Sequence, residues 1–238
     1  MARNNVRIST ALAIVLSFVG VIVLTVFLFL WWHDARALDE LSMKEMQLRK
    51  ELIQINSYAS WTDNYYRTYK ALNSLVGSKM SDHKKIRLTE RIWMISRNYN
   101  FDPLLILAVV STESRGNPKA RGRKNSGEES GAYGLMQLKV ETARHIGARF
   151  GIDIQNEQDL LRPEVNVVIG SAYLMRLIGR YGDLQRALIA YNEGPAALEN
   201  KLRKKSSLRS FYYERLLTEY RRLVAVAGGN RTPPSSFF

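Results

Sequence analysis

A mainly helical protein with a membrane-length apolar segment near its N-terminus is what this chain predicts. Three observations carry that reading. Ile8 to Trp32 contains no charged residue. Beyond it, apolar residues recur at helical spacing, in stretches that open on Asp or Pro and close on Gly. No segment alternates with strand periodicity for long, so strand is confined to a short hairpin near a polar loop. The expected organisation is a cytoplasmic stub and anchor over 1–33, a helical stalk over 34–83, a globular helical domain over 84–226 and a flexible tail over 227–238.

Composition narrows the partners. Lys and Arg total 35 against 22 acidic residues, a formal charge of +13. That balance favours polyanions such as nucleic acid, anionic lipid or a polyanionic cell wall. No nucleic-acid-binding module is legible, so nucleic acid is not an expected partner. There is no cysteine, which excludes disulfides, thiolate metal sites and a lipid-modified N-terminal cysteine. His33, His83 and His145 lack metal-ligand spacing, and no metal or cofactor is expected. Catalysis would rest on carboxyl, hydroxyl, amide and ring groups.

Arg3 and Arg7 precede the uncharged run, and Trp31 and Trp32 stand where an interfacial aromatic belt would lie. As a helix rising about 1.5 Å per residue, the run exceeds the roughly 30 Å hydrocarbon core. The basic N-terminus orients the rest of the chain out of the cytoplasm. A cleaved signal peptide is the competing reading, because Ala35-Arg36-Ala37 mimics a cleavage site. Its hydrophobic region would be far longer than usual, which favours an uncleaved anchor. Leu38, Leu41, Leu48, Leu52 and Ile55 then recur among charges as a solvated helical stalk. Tyr58, Trp61, Tyr65, Tyr66 and Tyr69 form an aromatic stripe suited to packing.

Gly77-Ser78 and Ser81-Asp82 mark a break, and Ile86, Ile92, Trp93 and Ile95 suggest a helix ending near Tyr99-Asn100. Asp102 can cap the next helix, whose first residue, Pro103, needs no backbone donor. Leu104 to Val110 is apolar all round, the signature of a helix buried on every side. Gly116 and Asn117-Pro118 stop it, so Glu113 falls in its last turn. A carboxylate there opposes the helix dipole and loses solvation. Both effects favour the protonated form that a general acid needs near neutral pH.

The stretch RGRKNSGEES reads as a surface loop. Lys139 to Phe150 reads as a helix closed by Gly151. Pro163-Glu164 opens another, with Val165, Val168, Ile169, Ala172, Tyr173, Leu174 and Leu177 on its core face and Tyr181-Gly182 at its end. Asp183 can cap Leu184 to Tyr191, and Gly194-Pro195 terminates it. Lys201 to Arg209 is a basic cluster, and Phe211 to Val226 makes a last amphipathic helix.

Three motifs stand in order: Glu113-Ser114 with Asn117-Pro118 and Ala120; Gly131 to Gln137, GAYGLMQ; and Ala190 to Gly194, AYNEG. Over roughly Ile86 to Tyr220 the chain resembles the lytic transglycosylases of the soluble-lytic-transglycosylase type. The resemblance implies a lysozyme-like catalytic domain that binds peptidoglycan glycan strands. It implies cleavage without water, forming 1,6-anhydromuramoyl ends, with Glu113 as acid and then base. Together with the expected anchor and its Arg3/Arg7 bias, this gives a bacterial inner-membrane protein with its catalytic domain in the periplasm as the expectation. Ser114, Met136, Gln137, Tyr191 and Asn192 are the expected substrate-side residues. Gln137 would bond sugar or acetamido groups, Met136 would line the floor, and Tyr191 would lie close to Glu113 or the reacting sugar. Asn192 would hold its loop. The family carries a serine near its active site on a shorter connection, and Ser126 and Ser130 both remain open for that role. A hydrolytic muramidase using Glu128 or Glu129 as a second acid is the nearest alternative, and an inactive wall-binding scaffold is another.

Overall fold

A computed structural model describes residues 2–124 and 126–228, with side chains described except at 2–11, 13, 37 and 55–61. The expected tail and the rings of Tyr58 and Trp61 therefore lie outside the described residues. Helix α1 is assigned over Ala2–Val76, and the chain divides within it into two units, Met1–Ser60 and Trp61–Phe238.

In the first unit the described side chains from Ile14 to Trp32 are exposed. This helix is long and apolar enough to cross a membrane by length and composition, with a mean hydropathy of 2.8 over its most apolar window. Arg36 lies over the Trp32 ring at 3.7 Å, pairing a cation with the aromatic end of that run. Further along, Glu40–Lys44 at 2.7 Å and Glu45–Arg49 at 2.8 Å are one-turn ion pairs on a solvated surface.

The second unit begins earlier than the expected 84–226 domain. Ala71, Leu72 and Val76 are fully buried in its core and Met80 nearly so. That part of the expected stalk is a core element, because its apolar residues find partners that sequence spacing does not reveal.

Helix α2, Asp82–Tyr99, buries Leu88 and Ile92, while Ile86 is exposed. Asn100 ends it in the left-handed region, and Asp102 then accepts from the Leu104 backbone N–H at 2.8 Å to start α3, Pro103–Ser114. Leu104 through Ser111 are all buried, making α3 the axis of the unit.

The expected hairpin is part of a three-stranded antiparallel sheet ordered β1-β2-β3: Arg121–Arg123, Glu129–Tyr133 and Leu138–Lys139. Ala132 pairs with Lys139 and Tyr133 with Leu138. Helix α4, Val140–Gly147, continues as a 3₁₀ turn to Phe150, and Gly151 closes it. Short α5, Glu157–Leu160, opens on an Asn156 capping box. The long α6, Pro163–Tyr181, and α7, Leu184–Glu193, pack together and are followed by α8, Pro195–Arg203, and α9, Phe211–Ala227. α9 lies along α3.

Candidate active site

Glu113 sits on the last turn of α3, half-buried, where the helix emerges from the core. Two features of sequence put it there. The apolar run buries the helix up to Ser111, and Arg115 then turns the chain through the left-handed region at φ 52. Burial pushes the Glu113 carboxyl above the ordinary carboxylate range, against opposition from a Tyr212 hydrogen bond and the Arg215 charge. Among the described residues, no second carboxylate figures in the charges that act on it.

Tyr212 and Arg215 come from α9, on the far side of the sequence. The Tyr212 hydroxyl donates to Glu113 Oε1 at 2.6 Å. Burial, then the Glu113 charge, push the Tyr212 phenol well above its usual range, so it remains a donor at neutral pH. Arg215 donates to the Thr112 carbonyl at 3.2 Å, which holds its guanidinium beside the helix end. Neither residue is legible in the sequence as part of the site. Tyr212 lies 99 positions from Glu113, and its local signal is an aromatic cluster after Ser210, which caps α9 through the Tyr213 N–H.

The motif residues divide. Tyr191 reaches the neighbourhood of Glu113, whose charge adds to burial in raising the Tyr191 phenol well above its usual range. Its hydroxyl donates to the Met136 carbonyl at 2.8 Å, and its ring lies 5.4 Å from that of Tyr173. Met136 does not line an exposed floor. Its side chain is fully enclosed against Gly170, where any added Cβ would strike it, so Met136 serves the site through its backbone.

Gln137, in the left-handed region at φ 47, turns its amide inward and donates to the carbonyls of Gly134 at 2.9 Å and Ala120 at 3.3 Å. Both of its N–H contacts thus go to backbone. Ser114 returns its hydroxyl to the Val110 carbonyl at 3.0 Å within α3. Asn192 is exposed at the end of α7.

One residue organises these loops. Asn166, fully buried on α6, accepts from the Met136 N–H at 2.7 Å and donates to the carbonyls of Tyr133 at 2.9 Å and Leu160 at 3.0 Å. A single amide therefore satisfies three backbone groups of the GAYGLMQ turn and α5. Gly134 lets it approach: with φ +77, any Cβ there would strike Asn166 and the Leu160 carbonyl.

The acids of the polar loop have other partners. Glu128 pairs with Lys124 at 3.2 Å, and Glu129 pairs with Arg121 at 3.6 Å and accepts from Tyr133 at 3.4 Å. Both are exposed. Among the described residues, no group of three or more histidines and acids has a metal-binding arrangement.

On this helical domain a half-buried glutamate at the end of α3 accepts a hydrogen bond from a tyrosine of α9 and has a tyrosine of α7 in its neighbourhood. The chain belongs to the Transglycosylase SLT domain family, whose model matches residues 91–213. Two curated relatives are similar to it. A transglycosylase of Enterobacteria phage PRD1 is 43% identical over 105 residues, 44% of this chain and 34% of the relative. A soluble lytic murein transglycosylase of Salmonella typhimurium is 28% identical over 185 residues, 74% of this chain and 27% of the relative. The chain thus spans about a third or less of the length of these relatives. Among solved structures, an inactive mutant of a lytic transglycosylase from Pseudomonas aeruginosa covers 58% of this chain and 23% of its own, at 25% identity and a TM-score of 0.43. The 70 kDa soluble lytic transglycosylase of Escherichia coli covers 71% and 28%, at 23% identity and a TM-score of 0.43.

Proposed function

We propose that the second unit cleaves the β-1,4 bond between N-acetylmuramic acid and N-acetylglucosamine in peptidoglycan, without water, using Glu113 alone as acid and then base. The observation that carries this reading is the state of Glu113: burial raises its pKa, a buried phenol holds it, and among the described residues no second carboxylate acts on it. Membership of the transglycosylase family supports the substrate.

In this mechanism protonated Glu113 gives its proton to the bridging oxygen as the bond from that oxygen to C1 of the muramic acid breaks. The ionised carboxylate then takes the proton of the C6 hydroxyl of the same sugar as O6 bonds to C1. The products are a free hydroxyl on the departing sugar and a 1,6-anhydro ring, and Glu113 ends protonated. Two-carboxylate glycosidases need their second acid to supply a nucleophile or to activate water. An attacking hydroxyl already on the sugar removes that need and gains from proximity. Tyr212 and Arg215 favour the ionised form that Glu113 takes between the two steps, and burial favours the protonated form with which it starts. We place the substrate against Glu113 and Tyr191, with Ser114, Gln137 and Asn192 at its margin and Met136 beneath. The first unit would anchor the protein in the bacterial inner membrane, with the second in the periplasm.

Glu113→Gln tests the assignment. The amide keeps the volume but has no transferable proton, so muropeptide release from purified sacculi should fall about 1000-fold or more, with circular dichroism unchanged. Substantial turnover by the folded variant would remove Glu113 from the role.

A further inference from the structure

From the end of α8 into α9 the chain reads KLRKKSSLRSF, residues 201–211, with five cations and no acid. Their charges are unequally answered. Lys201 pairs with Glu193 at 2.7 Å, whereas Arg209 meets Glu214 only at 3.8 Å. Arg203 bonds the neutral amide of Asn200 at 3.1 Å and keeps its charge. The side chains of Lys204 and Lys205 are exposed and have no hydrogen bond or ion pair among the described residues.

Phe211 closes this stretch at 88% exposure, the highest of the large apolar residues described. Its neighbours hold it out. Ser210 is buried and caps α9, accepting from the Tyr213 N–H at 3.4 Å, and Tyr212 is buried and donates to Glu113 at 2.6 Å. With both flanking side chains turned into the domain, the ring between them projects outward. The loop before it is pinned as well: Leu208 packs on the core, and its carbonyl accepts from the Gln185 amide at 3.1 Å. The fold thus presents an apolar ring to water beside uncompensated cations, a pairing that marks an interaction surface.

Ring and cations together choose the partner. A hydrophilic polyanion would answer the charge and leave the ring in water. An anionic phospholipid surface answers both, because headgroups meet the cations while the ring enters the boundary between headgroups and acyl chains. We propose that the 201–211 loop docks the second unit on anionic phospholipid, a proposal that goes beyond glycan cleavage and rests on the membrane placement proposed for the first unit. Tyr212, the next residue, bonds Glu113, so a docked loop holds the acid close to the lipid surface.

The test uses the full chain in nanodiscs of phosphatidylcholine alone or mixed with phosphatidylglycerol. Because the protein has no cysteine, Ser206→Cys accepts a single spin label on the exposed loop. In anionic discs the label should become about fivefold or more less accessible to a water-soluble nickel relaxant than in neutral discs, the scale of one cation held at such a surface. Lys204→Gln combined with Lys205→Asn, a residue type that tolerates the left-handed backbone there, should abolish the difference, as should Phe211→Ser, with circular dichroism unchanged. A label equally accessible in both discs, or protection that survives in either variant, would overturn the docking. Protection by added sacculi in place of anionic lipid would overturn it in favour of a wall contact. A chain that enters neither disc would overturn the membrane placement and the docking with it.

Discussion

At the scale of single residues, the site sets opposing influences on one carboxyl. Burial lifts the Glu113 pKa, and the Tyr212 hydroxyl and Arg215 charge pull it back. Tyr212→Phe removes a donor that favours the ionised form, so the Glu113 pKa should rise further. Because the acid must start protonated, the basic limb of the kcat/KM profile should move to higher pH, while the optimum rate changes by about tenfold or less. A limb that stays in place or moves to lower pH would show that the Tyr212 bond does not act on the catalytic proton. The position of Glu113 is legible in the sequence, because capping, an all-apolar run and a stop signal define one helix end by local rules. That of Tyr212 is not, since its role arises from two helices lying side by side. The enclosure of Met136 escapes sequence reasoning for a similar reason: it depends on Gly170, about which a one-dimensional pattern is silent.

Elements follow the same division between local and long-range physics. Helices opened by Asp102, Pro163 and Asp183 and closed by Asn100, Gly151 and Gly182 stand close to where their caps put them. Helix α8 is hidden in the sequence because Gly194-Pro195 reads as a terminator. Gly194, at φ +95, ends α7 and at once begins α8, with Pro195 in the first-turn position that needs no donor. Short α5 has too few residues to show a period. The joint that matters most to the site is Asn166, which ties α6 to the GAYGLMQ turn and α5. Asn166→Ala should cost about 3 kcal/mol, because three buried backbone groups lose their partner. Thermal unfolding should register a fall of about 10 °C, and activity should fall with it as the Met136 carbonyl that holds Tyr191 shifts. A variant as stable as the parent would mean that water replaces the amide without loss.

For the whole molecule, the N-terminal helix is long and apolar enough to cross a membrane by length and composition. Apart from Ser17 and Thr25, the described side chains of Ile14 to Trp32 are apolar, all are exposed, and a bilayer would cover them. The full chain should sediment with membranes, resist release by high salt and dissolve in detergent while retaining its original N-terminus. Release by salt would reduce the helix to an electrostatic attachment, and a mature chain beginning near Leu38 would make it a signal peptide.

In the proposed reaction, one carboxyl and the substrate's own hydroxyl suffice. Mass analysis of muropeptides released from sacculi by the parent protein in ¹⁸O-labelled water tests it most directly. The released ends should be 1,6-anhydromuramoyl and carry no label. Reducing muramic acid ends labelled with ¹⁸O would contradict it, placing water in the reaction and requiring a second carboxylate to activate it.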